Sequence, residues 1–350
     1  MMYFWGFALA FIITLIATPV ARRLALKYGV VDNPGSRKLH LTPVPYLGGL
    51  AIFAGFLVTT MVFVPLSRQV ISLVVACLVM VVIGAIDDAK DLRPLTKLAW
   101  QFLAAAIALV GGIGITVIAN PLGGSIDLSL GRFAVNLFGF NFHIAPISNV
   151  ISIFWMVGMA NTVNFLDSLD GLAAGVSGIA GVILFLLSLS VNQPAVALLA
   201  IILAGSAFGF LPMNFNPAKI FMGDSGAYFL GLVLAMLSIY SGGKLATAVL
   251  VLGLPIFDAI WAVIRRLAQS RSPFSADKGH IYHLLIGAGF SQREVALALY
   301  VFALVCGLAA IFINSTGKLL AIAGLFVALS LLVGILTVVS VRRNAKGKKD

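Results

Sequence analysis

The stretch Asn161-Thr162-Val163-Asn164-Phe165-Leu166-Asp167-Ser168-Leu169-Asp170-Gly171 lies between two long apolar runs. Its polar side chains Asn161, Asn164, Asp167 and Asp170 recur every three residues. In a helix, this spacing places them in one stripe along a single face. An unpaired polar group that faces lipid costs several kcal/mol. We therefore expect the stripe to line a wet cleft, to bind a ligand or to pair with other helices.

The composition of the whole chain is that of a membrane protein. Its 350 residues are 61% hydrophobic and 10% charged, whereas a soluble domain carries about 25% charged residues. Apolar runs of about 20 residues, long enough to cross the hydrocarbon core, recur from end to end. The sequence therefore predicts an all-α polytopic membrane protein and leaves no room for a separate soluble domain.

Eleven transmembrane helices are predicted from these runs. They cover residues 3–21, 47–65, 70–86, 97–119, 146–163, 172–190, 195–211, 225–241, 245–264, 294–313 and 318–340. In the external segment 120–145, apolar residues alternate with polar or small ones at Ile126, Leu128 and Leu130 and again from Phe138 to Phe142. This period of two predicts a small external β-hairpin.

The loop charges predict the orientation, because an odd number of spans places the termini on opposite sides. Nineteen of the 23 Lys and Arg residues fall in one set of segments. These are loops 22–46, 87–96, 161–171, 212–224 and 265–293, Lys97 and the tail 341–350. Excess positive charge marks cytoplasmic loops. We therefore expect the N-terminus outside and the C-terminus inside. Residues 1–340 are expected to form one transmembrane catalytic domain, followed by a basic cytoplasmic tail.

Acidic and histidine residues gather on the same side, although they were not used to orient the chain. Of the twelve Asp and Glu residues, only Asp127 lies on the predicted outer side, and three of the four histidines lie in the inner loops. Basic inner loops are typical of membrane proteins in general, whereas carboxylates and histidines beside them are not. This indicates that the chemistry is cytoplasmic.

Two inner segments offer groups for a phosphate or a metal ion. Arg37, Lys38 and His40 provide cationic donors to a phosphate, although a basic loop that only sets topology would contain them too. Asp87 and Asp88 end the third span. Adjacent carboxylates there suit a metal ion, a general base or a cationic neighbour, and equally a solvated helix end.

A third carboxylate, Asp224, is predicted in the first turn of the eighth span, between Gly223 and Gly226. Free backbone N–H groups at a helix start attract anions such as phosphate. The carboxylate could cap the helix. It could equally hold a cation such as Mg²⁺, whose remaining ligands are phosphate oxygens.

Arg265, Arg266, His280 and His283 lie in the largest inner loop, residues 265–293. They are compatible with a zinc site, a nucleic-acid patch or a sugar-phosphate pocket. Zinc is disfavoured because no Cys lies nearby. Nucleic acid is disfavoured because aromatic residues do not alternate with the basic ones. Taken with the Asp and Asn residues and the access to lipid, the loop predicts phosphoryl chemistry on a membrane-embedded substrate.

The order of these motifs resembles the polyprenyl-phosphate N-acetylhexosamine-1-phosphate transferases, a family of the glycosyltransferase 4 type. The motifs are Arg37-Lys38-x-His40, Asp87-Asp88, Asn161-x-x-Asn164-x-x-Asp167-x-x-Asp170-Gly171, Phe221-Met222-Gly223-Asp224-Ser225-Gly226, Arg265-Arg266 and His280-x-x-His283. The chain resembles the bacterial undecaprenyl-phosphate GlcNAc-1-phosphate transferases in particular.

The resemblance implies an activity and a location. N-acetylhexosamine-1-phosphate, GlcNAc-1-phosphate in the first place, would pass from a UDP-sugar to undecaprenyl phosphate, with release of UMP. The product would start cell-envelope polysaccharide synthesis, as for lipopolysaccharide or teichoic acid. The expected location is the bacterial inner membrane, with the active site in the cytoplasm. A homodimer is compatible with the resemblance, and no nucleic-acid partner is expected.

The resemblance also implies roles for single residues. Asp224, with Asn164 as a second ligand, is similar to the family's Mg²⁺ site, which Mn²⁺ could also occupy. The implied catalytic residues are Asp87, Asp88 and Asp167, and Asp87 is the one that deprotonates or orients the lipid phosphate. The implied substrate-binding residues are Arg37, Lys38, His40, Lys97, Asn161, Asp170, Arg265, Arg266, His280 and His283. Direct attack by the lipid phosphate and a covalent aspartyl intermediate are both open.

The chain departs from the GlcNAc-1-phosphate branch at one position. That branch usually shows His-x-His-His, and Tyr282 stands at the middle histidine here. A phospho-MurNAc-pentapeptide transferase, with three consecutive histidines, is the alternative within the family. From other classes, the alternatives are a CDP-alcohol phosphotransferase, which shares an Asp-x-x-Asp-Gly start, and a secondary transporter with acidic residues on broken helices.

Overall fold

A computed structural model describes residues 1–34, 42–120, 124–137, 140–240, 245–270 and 280–346. These residues form thirteen α-helices and three two-stranded antiparallel sheets. The helices are α1 (Met2–Tyr28), α2 (Gly48–Phe63), α3 (Arg68–Lys90), α4 (Pro94–Val110), α5 (Pro146–Leu166), α6 (Leu172–Ser190), α7 (Pro194–Asn214), α8 (Gly223–Tyr240), α9 (Leu245–Val251), α10 (Gly253–Ala268), α11 (Ile281–Gly287), α12 (Gln292–Phe312) and α13 (Ser315–Lys346).

The helices confirm the prediction of an all-α polytopic membrane protein. Each of the eleven predicted spans overlaps a helix or, for residues 245–264, the pair α9 and α10. Among the described residues, eight helices are long and apolar enough to cross a membrane, or nine if α9 and α10 form one span. Helices α2 and α4 have 16 and 17 residues, and at about 1.5 Å per residue they fall short of a hydrocarbon core of about 30 Å. The number of crossings therefore stays a prediction.

The fourth predicted span is shorter than expected. Helix α4 ends at Val110, and the end of the predicted span 97–119 is strand β3 (Val117–Ala119). The helix stops because Gly112 takes the left-handed conformation, with φ +92°, which glycine adopts without steric cost. Gly111 packs so closely on Ser72 of α3 that a Cβ there would overlap the serine side chain.

The ninth predicted span, residues 245–264, is broken in the structure. Helices α9 and α10 meet at Leu252 with a bend of 82°. Pro255 lies in the first turn of α10, where its missing N–H removes no internal hydrogen bond. The bend directs α10 away from the axis of α9, so that Asp258, Arg265 and Arg266 lie on a separate helix that leads into the 265–293 loop.

The segment predicted to be external contains two antiparallel strand pairs instead of the single hairpin predicted. Strand β3 pairs with β4 (Ser125–Asp127), and β5 (Phe133–Leu137) pairs with β6 (Phe140–Ile144). The alternation at Ile126, Leu128 and Leu130 does not belong to one strand. Asp127 Oδ1 accepts a hydrogen bond from the N–H of Ser129 at 2.8 Å, a side-chain turn that ends β4. A further pair, β1 (Val31–Asp32) and β2 (Val44–Pro45), flanks residues 35–41 in the sequence.

Helix α8 is almost wholly buried and contacts α2, α3 and α5 along its length. Two glycines allow this approach at its first turn. A Cβ on Gly49 of α2 would overlap the backbone of Gly226, and a Cβ on Gly84 of α3 would overlap the backbone of Ser225. The start of α8 is also tied to α2 by a hydrogen bond from Gly49 N–H to the carbonyl of Met222, at 2.9 Å. This packing fixes the position of Asp224.

Candidate active site

The first turn of α8 is capped by a carboxylate from another helix. Asp88, near the end of α3, accepts a hydrogen bond on Oδ1 from the N–H of Asp224 at 2.7 Å. Its Oδ2 accepts from the hydroxyl of Ser225 at 3.0 Å and from the Ser225 N–H at 3.4 Å. The first N–H groups of a helix have no partner inside the helix, and Asp88 supplies one. A Cβ at Gly223, φ +70°, would overlap this carboxylate.

Lys97, in the first turn of α4, joins two carboxylates. Its Nζ forms an ion pair with Asp87 and lies 3.4 Å from Oδ2 of Asp224. The other oxygen of Asp87 accepts a hydrogen bond from the N–H of Leu92 at 2.7 Å, which closes the turn between α3 and α4. Adjacent in sequence, Asp87 and Asp88 therefore have different neighbours: Asp87 contacts a cation, and Asp88 caps a helix.

Asp224 lies at the centre of these contacts. Its Oδ1 accepts a hydrogen bond from Nδ2 of Asn164 at 2.7 Å, and its Oδ2 accepts one from the Tyr228 hydroxyl at 2.9 Å. Asp224 thus joins α3, α4, α5 and α8 through side chains. Tyr228 was not identified from the sequence. Its spacing of four from Asp224, which puts both on one face of α8, was the available signal.

The polar stripe predicted along α5 is interrupted. The helix ends at Leu166, so that Asp167 is its C-terminal cap residue and Asp170 lies in the following turn. Only Asn161 and Asn164 share the helical face. The prediction of a four-residue stripe was wrong because the chain turns at Asp167 and reaches Gly171, φ +76°, before α6 begins.

Asp167 lies close enough to the other carboxylates to be affected by their charge. Burial raises the pKa of Asp167 well above its ordinary value, and the negative charges of Asp224, Asp88 and Asp170 raise it further. In the cluster formed by Asp87, Asp88, Asp167 and Asp224, Lys97 contacts two of the four carboxylates, Asp87 and Asp224. The local field therefore favours additional positive charge at this cluster.

The cluster's donor atoms can be compared with what a divalent cation requires. No three His, Cys, Asp or Glu side chains among the described residues already form a metal-binding group. Mg²⁺, however, usually binds one or two carboxylates and completes its shell with waters and substrate phosphates. Asp224 offers carboxylate oxygens. The amide nitrogen of Asn164 donates a hydrogen bond to Asp224, and its amide oxygen offers a second ligand atom for a metal ion. These residues fit Mg²⁺ that is held partly by the substrate.

Two predicted substrate-binding residues are engaged in internal hydrogen bonds. Asn161 and Gln101 of α4 form a pair in which Asn161 Nδ2 donates to Gln101 Oε1 at 2.7 Å and Gln101 Nε2 donates back at 3.3 Å. Asp170 Oδ2 accepts from Asn216 Nδ2 at 2.8 Å and from the N–H of Ala218 at 3.0 Å. Asp170 thereby holds the loop that leads from α7 to α8.

That loop is further fixed by Asn214, a buried residue that was not identified from the sequence as a site residue. Its Oδ1 accepts from the N–H of Gly171 at 3.1 Å, and its Nδ2 donates to the carbonyl of Ile220 at 3.0 Å. Tyr300 of α12 donates to the Gly171 carbonyl at 2.6 Å. The turn after α5 and the loop before α8 are therefore held together by side-chain amides.

A second group of residues surrounds Phe165, next to Asn164. The His280 ring lies 5.9 Å from the Phe165 ring, and the Arg266 guanidinium lies 6.0 Å from its centre. His280 and Arg266 are both buried, whereas Arg265 and His283 are partly exposed. The carboxylate cluster, through Asn164, and this second group, through Phe165, therefore both contact the last turn of α5. Arg37, Lys38 and His40 lie outside the described residues.

The chain is similar to known proteins over most of its length. The model of the family described as glycosyl transferase family 4 matches residues 70–242. A protein of Bacillus subtilis is 32% identical over 317 residues, which cover 89% of this chain and 84% of that protein. The chain belongs to glycosyl transferase family 4. The matched range of the family 4 model contains Asp87, Asp88, Asn164, Asp167 and Asp224, and it ends before Asp258 and His280.

The names of the family 4 relatives agree with one another. The Bacillus subtilis protein is described as a probable undecaprenyl-phosphate N-acetylglucosaminyl 1-phosphate transferase. A decaprenyl-phosphate N-acetylglucosaminephosphotransferase of Mycobacterium tuberculosis is 32% identical over 320 residues, 83% of this chain and 77% of that protein. An undecaprenyl-phosphate alpha-N-acetylglucosaminyl 1-phosphate transferase of Yersinia pestis is 30% identical over 307 residues, 84% and 78% of the two chains. Membership of family 4 favours the transferase over the CDP-alcohol phosphotransferase and the transporter.

Proposed function

We propose that this protein transfers GlcNAc-1-phosphate from UDP-GlcNAc to undecaprenyl phosphate, or to a similar polyprenyl phosphate, and releases UMP. The names of the family 4 relatives support this acceptor and this sugar phosphate. The observation that carries the proposal is the cluster of Asp87, Asp88, Asp167 and Asp224 with Lys97 at the start of the buried helix α8. Carboxylates that can hold Mg²⁺ and a fixed cation are the groups that a diphosphate substrate requires.

The reaction forms one P–O bond and breaks another. An oxygen of the acceptor phosphate bonds to the sugar-linked phosphorus of the donor, and the bond from that phosphorus to the bridging oxygen breaks, so that UMP leaves. Asp224 and Asn164 would hold Mg²⁺, which would supply positive charge to neutralise the diphosphate. Lys97, held by Asp87 and Asp224, supplies a fixed positive charge beside the reacting phosphates.

Asp87 and Asp167 are the candidate groups for handling the acceptor. Asp87 is oriented by its ion pair with Lys97 and by the N–H of Leu92, and in this position it would orient the acceptor phosphate. Burial and neighbouring negative charge raise the pKa of Asp167 above its ordinary value, which favours its binding of a proton during the reaction. Asp88 caps α8 and thereby fixes the position of Asp224.

Donor recognition is assigned to the basic residues beyond Phe165. Arg265 and Arg266 offer positive charge for a diphosphate, and His280 and His283 offer hydrogen bonds for an acetamido sugar. We expect UDP-GlcNAc or a close UDP-N-acetylhexosamine as donor, and no turnover of UDP-MurNAc-pentapeptide. The protein would act in the bacterial inner membrane, with this site on the cytoplasmic side.

The test is a transfer assay with the purified protein in detergent. Undecaprenyl phosphate is supplied with a panel of UDP-sugars that carry the label in the sugar-linked phosphate, and extraction of the label into the lipid phase is measured with and without Mg²⁺. Lipid-linked label from UDP-GlcNAc, with UMP as co-product, supports the proposal. No transfer from any UDP-N-acetylhexosamine would overturn it. Equal use of the pentapeptide nucleotide would overturn the assignment of the donor but leave the transferase reaction.

Asp127→Asn is the matched control for this assay. Asp127 lies in the outer hairpin, is exposed, and contacts Ser129 through a local turn. Its substitution removes one carboxylate from the protein without affecting the α8 cluster. The control variant should transfer as fast as the wild type.

A further inference from the structure

Asp258 is a buried carboxylate in α10 whose two oxygens have different partners. Its Oδ2 lies 2.7 Å from Nδ1 of His280, and its Oδ1 accepts a hydrogen bond from the N–H of Ile281 at 2.8 Å. The side chains of Asp258 and His280 are 8% and 6% exposed. The contact bridges 22 residues and joins α10, which runs into the 265–293 segment, to α11, which lies within that segment.

The two hydrogen bonds serve different purposes. His280 is the N-terminal cap residue of α11, and its own side chain makes no capping hydrogen bond. Asp258 Oδ1 therefore supplies the acceptor that the first turn of α11 needs. Capping needs only one oxygen, and the other is directed at the imidazole. A role limited to fixing α11 does not explain this second contact.

The contact with Oδ2 decides which nitrogen of His280 carries the proton. An ionised carboxylate can only accept hydrogen bonds, so Nδ1 donates to Asp258, and in the neutral imidazole Nε2 then carries no proton. Nε2, on the opposite side of the ring, is then the nitrogen that remains available to a substrate. The ring is also held by Tyr282, which stacks on it with an interplanar angle of 7° and a centroid distance of 5.4 Å, and by Phe165.

We propose that Asp258 is a positioning residue that holds His280 as the Nδ1–H tautomer, so that Nε2 accepts a hydrogen bond from an N–H or O–H group of the donor sugar. This proposal rests on the proposed function, because it assigns the donor nucleotide sugar to the His280 side of the site. Neighbouring Arg266, across the Phe165 ring, carries a charge suited to the donor diphosphate. Arg266 would then bind the charged diphosphate of the donor, and Nε2 of His280 would accept a hydrogen bond from a neutral polar group of its sugar.

The substitution Asp258→Asn provides a sharp test because Asn has only one acceptor oxygen. If this oxygen keeps the hydrogen bond from Ile281, the amide NH₂ faces Nδ1 of His280. Nδ1 must then become the acceptor, and the proton moves to Nε2. The same change of tautomer follows when the carboxylate of a catalytic triad is replaced by an amide. In this chain, Nε2 would lose its capacity to accept from the sugar.

The kinetic experiment is a double-mutant cycle with Asp258→Asn, His280→Ala and the combined variant, each purified in detergent. Asp258→Asn is expected to lower kcat/KM for UDP-GlcNAc about 10- to 100-fold, as expected for a lost buried hydrogen bond. The KM for polyprenyl phosphate should not change. In the His280→Ala background, Asp258→Asn should cause little further loss, because its effect passes through His280. Multiplicative losses, or an equal rise in both KM values, would overturn the proposal.

The tautomer can be measured without any activity. In protein labelled with ¹⁵N-histidine, the His280 resonances are identified by their loss in His280→Ala. They should report the Nδ1–H form in the wild type and the Nε2–H form in Asp258→Asn. An unchanged tautomer in Asp258→Asn, or an Nε2–H form in the wild type, overturns the proposal. Transfer by the wild type is measured in parallel, and its absence would overturn the proposed function while the spectra still decide the tautomer.

A second variant covers the case in which Asp258→Asn does not fold. Asp258→Glu keeps two acceptor oxygens, so it should retain the Nδ1–H tautomer and more transfer than His280→Ala. If Asp258→Glu folds, as judged by its thermal unfolding midpoint, yet shows the Nε2–H form, the proposal is overturned. Asp127→Asn serves as the control in both experiments, because its carboxylate lies in the outer hairpin.

Discussion

The carboxylate of Asp88 accepts a hydrogen bond from the N–H of Asp224 at 2.7 Å, which joins the end of α3 to the start of α8. The residue that anchors the helix is thus adjacent in sequence to Asp87, which contacts Lys97. Two neighbours on a helix point about 100° apart. One of the paired aspartates can therefore support the site while the other faces the substrate.

Asp88→Ala tests this division. The variant leaves the first N–H groups of α8 without their acceptor, and loss of a helix cap typically costs about 1–2 kcal/mol of stability. We expect a lower thermal unfolding midpoint in detergent together with weaker transfer. Asp88→Asn keeps one acceptor oxygen for the N–H of Asp224 and should recover most of the stability. If Asp88→Ala unfolds at the wild-type temperature, the capping role is wrong.

Asp224→Asn should abolish transfer and leave the protein folded. The change removes one negative charge with little change in volume, and Asn can still accept from Asn164 or Tyr228 through its single oxygen. We also expect Mg²⁺ to raise the unfolding temperature of the wild type and not of the variant, because a ligand stabilises the state that it binds. Full transfer by purified Asp224→Asn in the presence of Mg²⁺ would contradict the assignment of the metal site.

Gly84→Ala should destabilise the protein strongly, because the new Cβ would overlap the backbone of Ser225 at the start of α8. Overpacking of this kind typically costs about 1–3 kcal/mol. Gly158→Ala is the matched control: both glycines lie inside helices, and a Cβ at Gly158 would meet no atom within 4 Å. Gly84→Ala should unfold at a lower temperature than Gly158→Ala. Equal unfolding midpoints would refute the tight packing of α3 on α8.

Gln101→Leu tests whether Asn161 is a structural residue or binds substrate. Gln101 is 1% exposed and pairs with Asn161 through two hydrogen bonds. Removal of one partner leaves a polar group unpaired, at a cost of about 1–3 kcal/mol, whereas removal of both can be nearly neutral. Gln101→Leu should therefore be less stable than Gln101→Leu combined with Asn161→Leu. If the double variant is stable yet inactive, Asn161 also contacts substrate.

The orientation in the membrane is a prediction from loop charge, and reporter fusions can test it. We expect Asp350 inside and Met1 outside, with eleven crossings. A reporter that is active only in the cytoplasm should work when fused after Asp350, and one that is active only outside should not. The reverse result would invert the topology and place the α8 cluster on the outer face.

Hydropathy predicted the helices of this fold, because helix formation depends on local sequence, and motif order predicted the family; the roles of the site residues stay predictions. The end of α4 at Val110 was missed, since the residues beyond it remain apolar and only the conformation of Gly112 stops the helix. The stripe on α5 was misread because a spacing of three persists through a turn as well as through a helix. The partners Gln101, Tyr228 and Asp258 could not be paired with their neighbours from the sequence, because each pairing depends on how two helix faces meet or on which rotamer a side chain takes.

The site is assembled from side chains of α3, α4, α5 and α8, so its geometry depends on the packing of all four helices. A molecule that binds to Asp87, Asn164 and Asp224 would therefore hold three helices of the bundle together. Tighter binding would raise the unfolding temperature further. Compounds directed at this enzyme could be screened by melting the purified protein, with neither the lipid acceptor nor a labelled sugar in the tube.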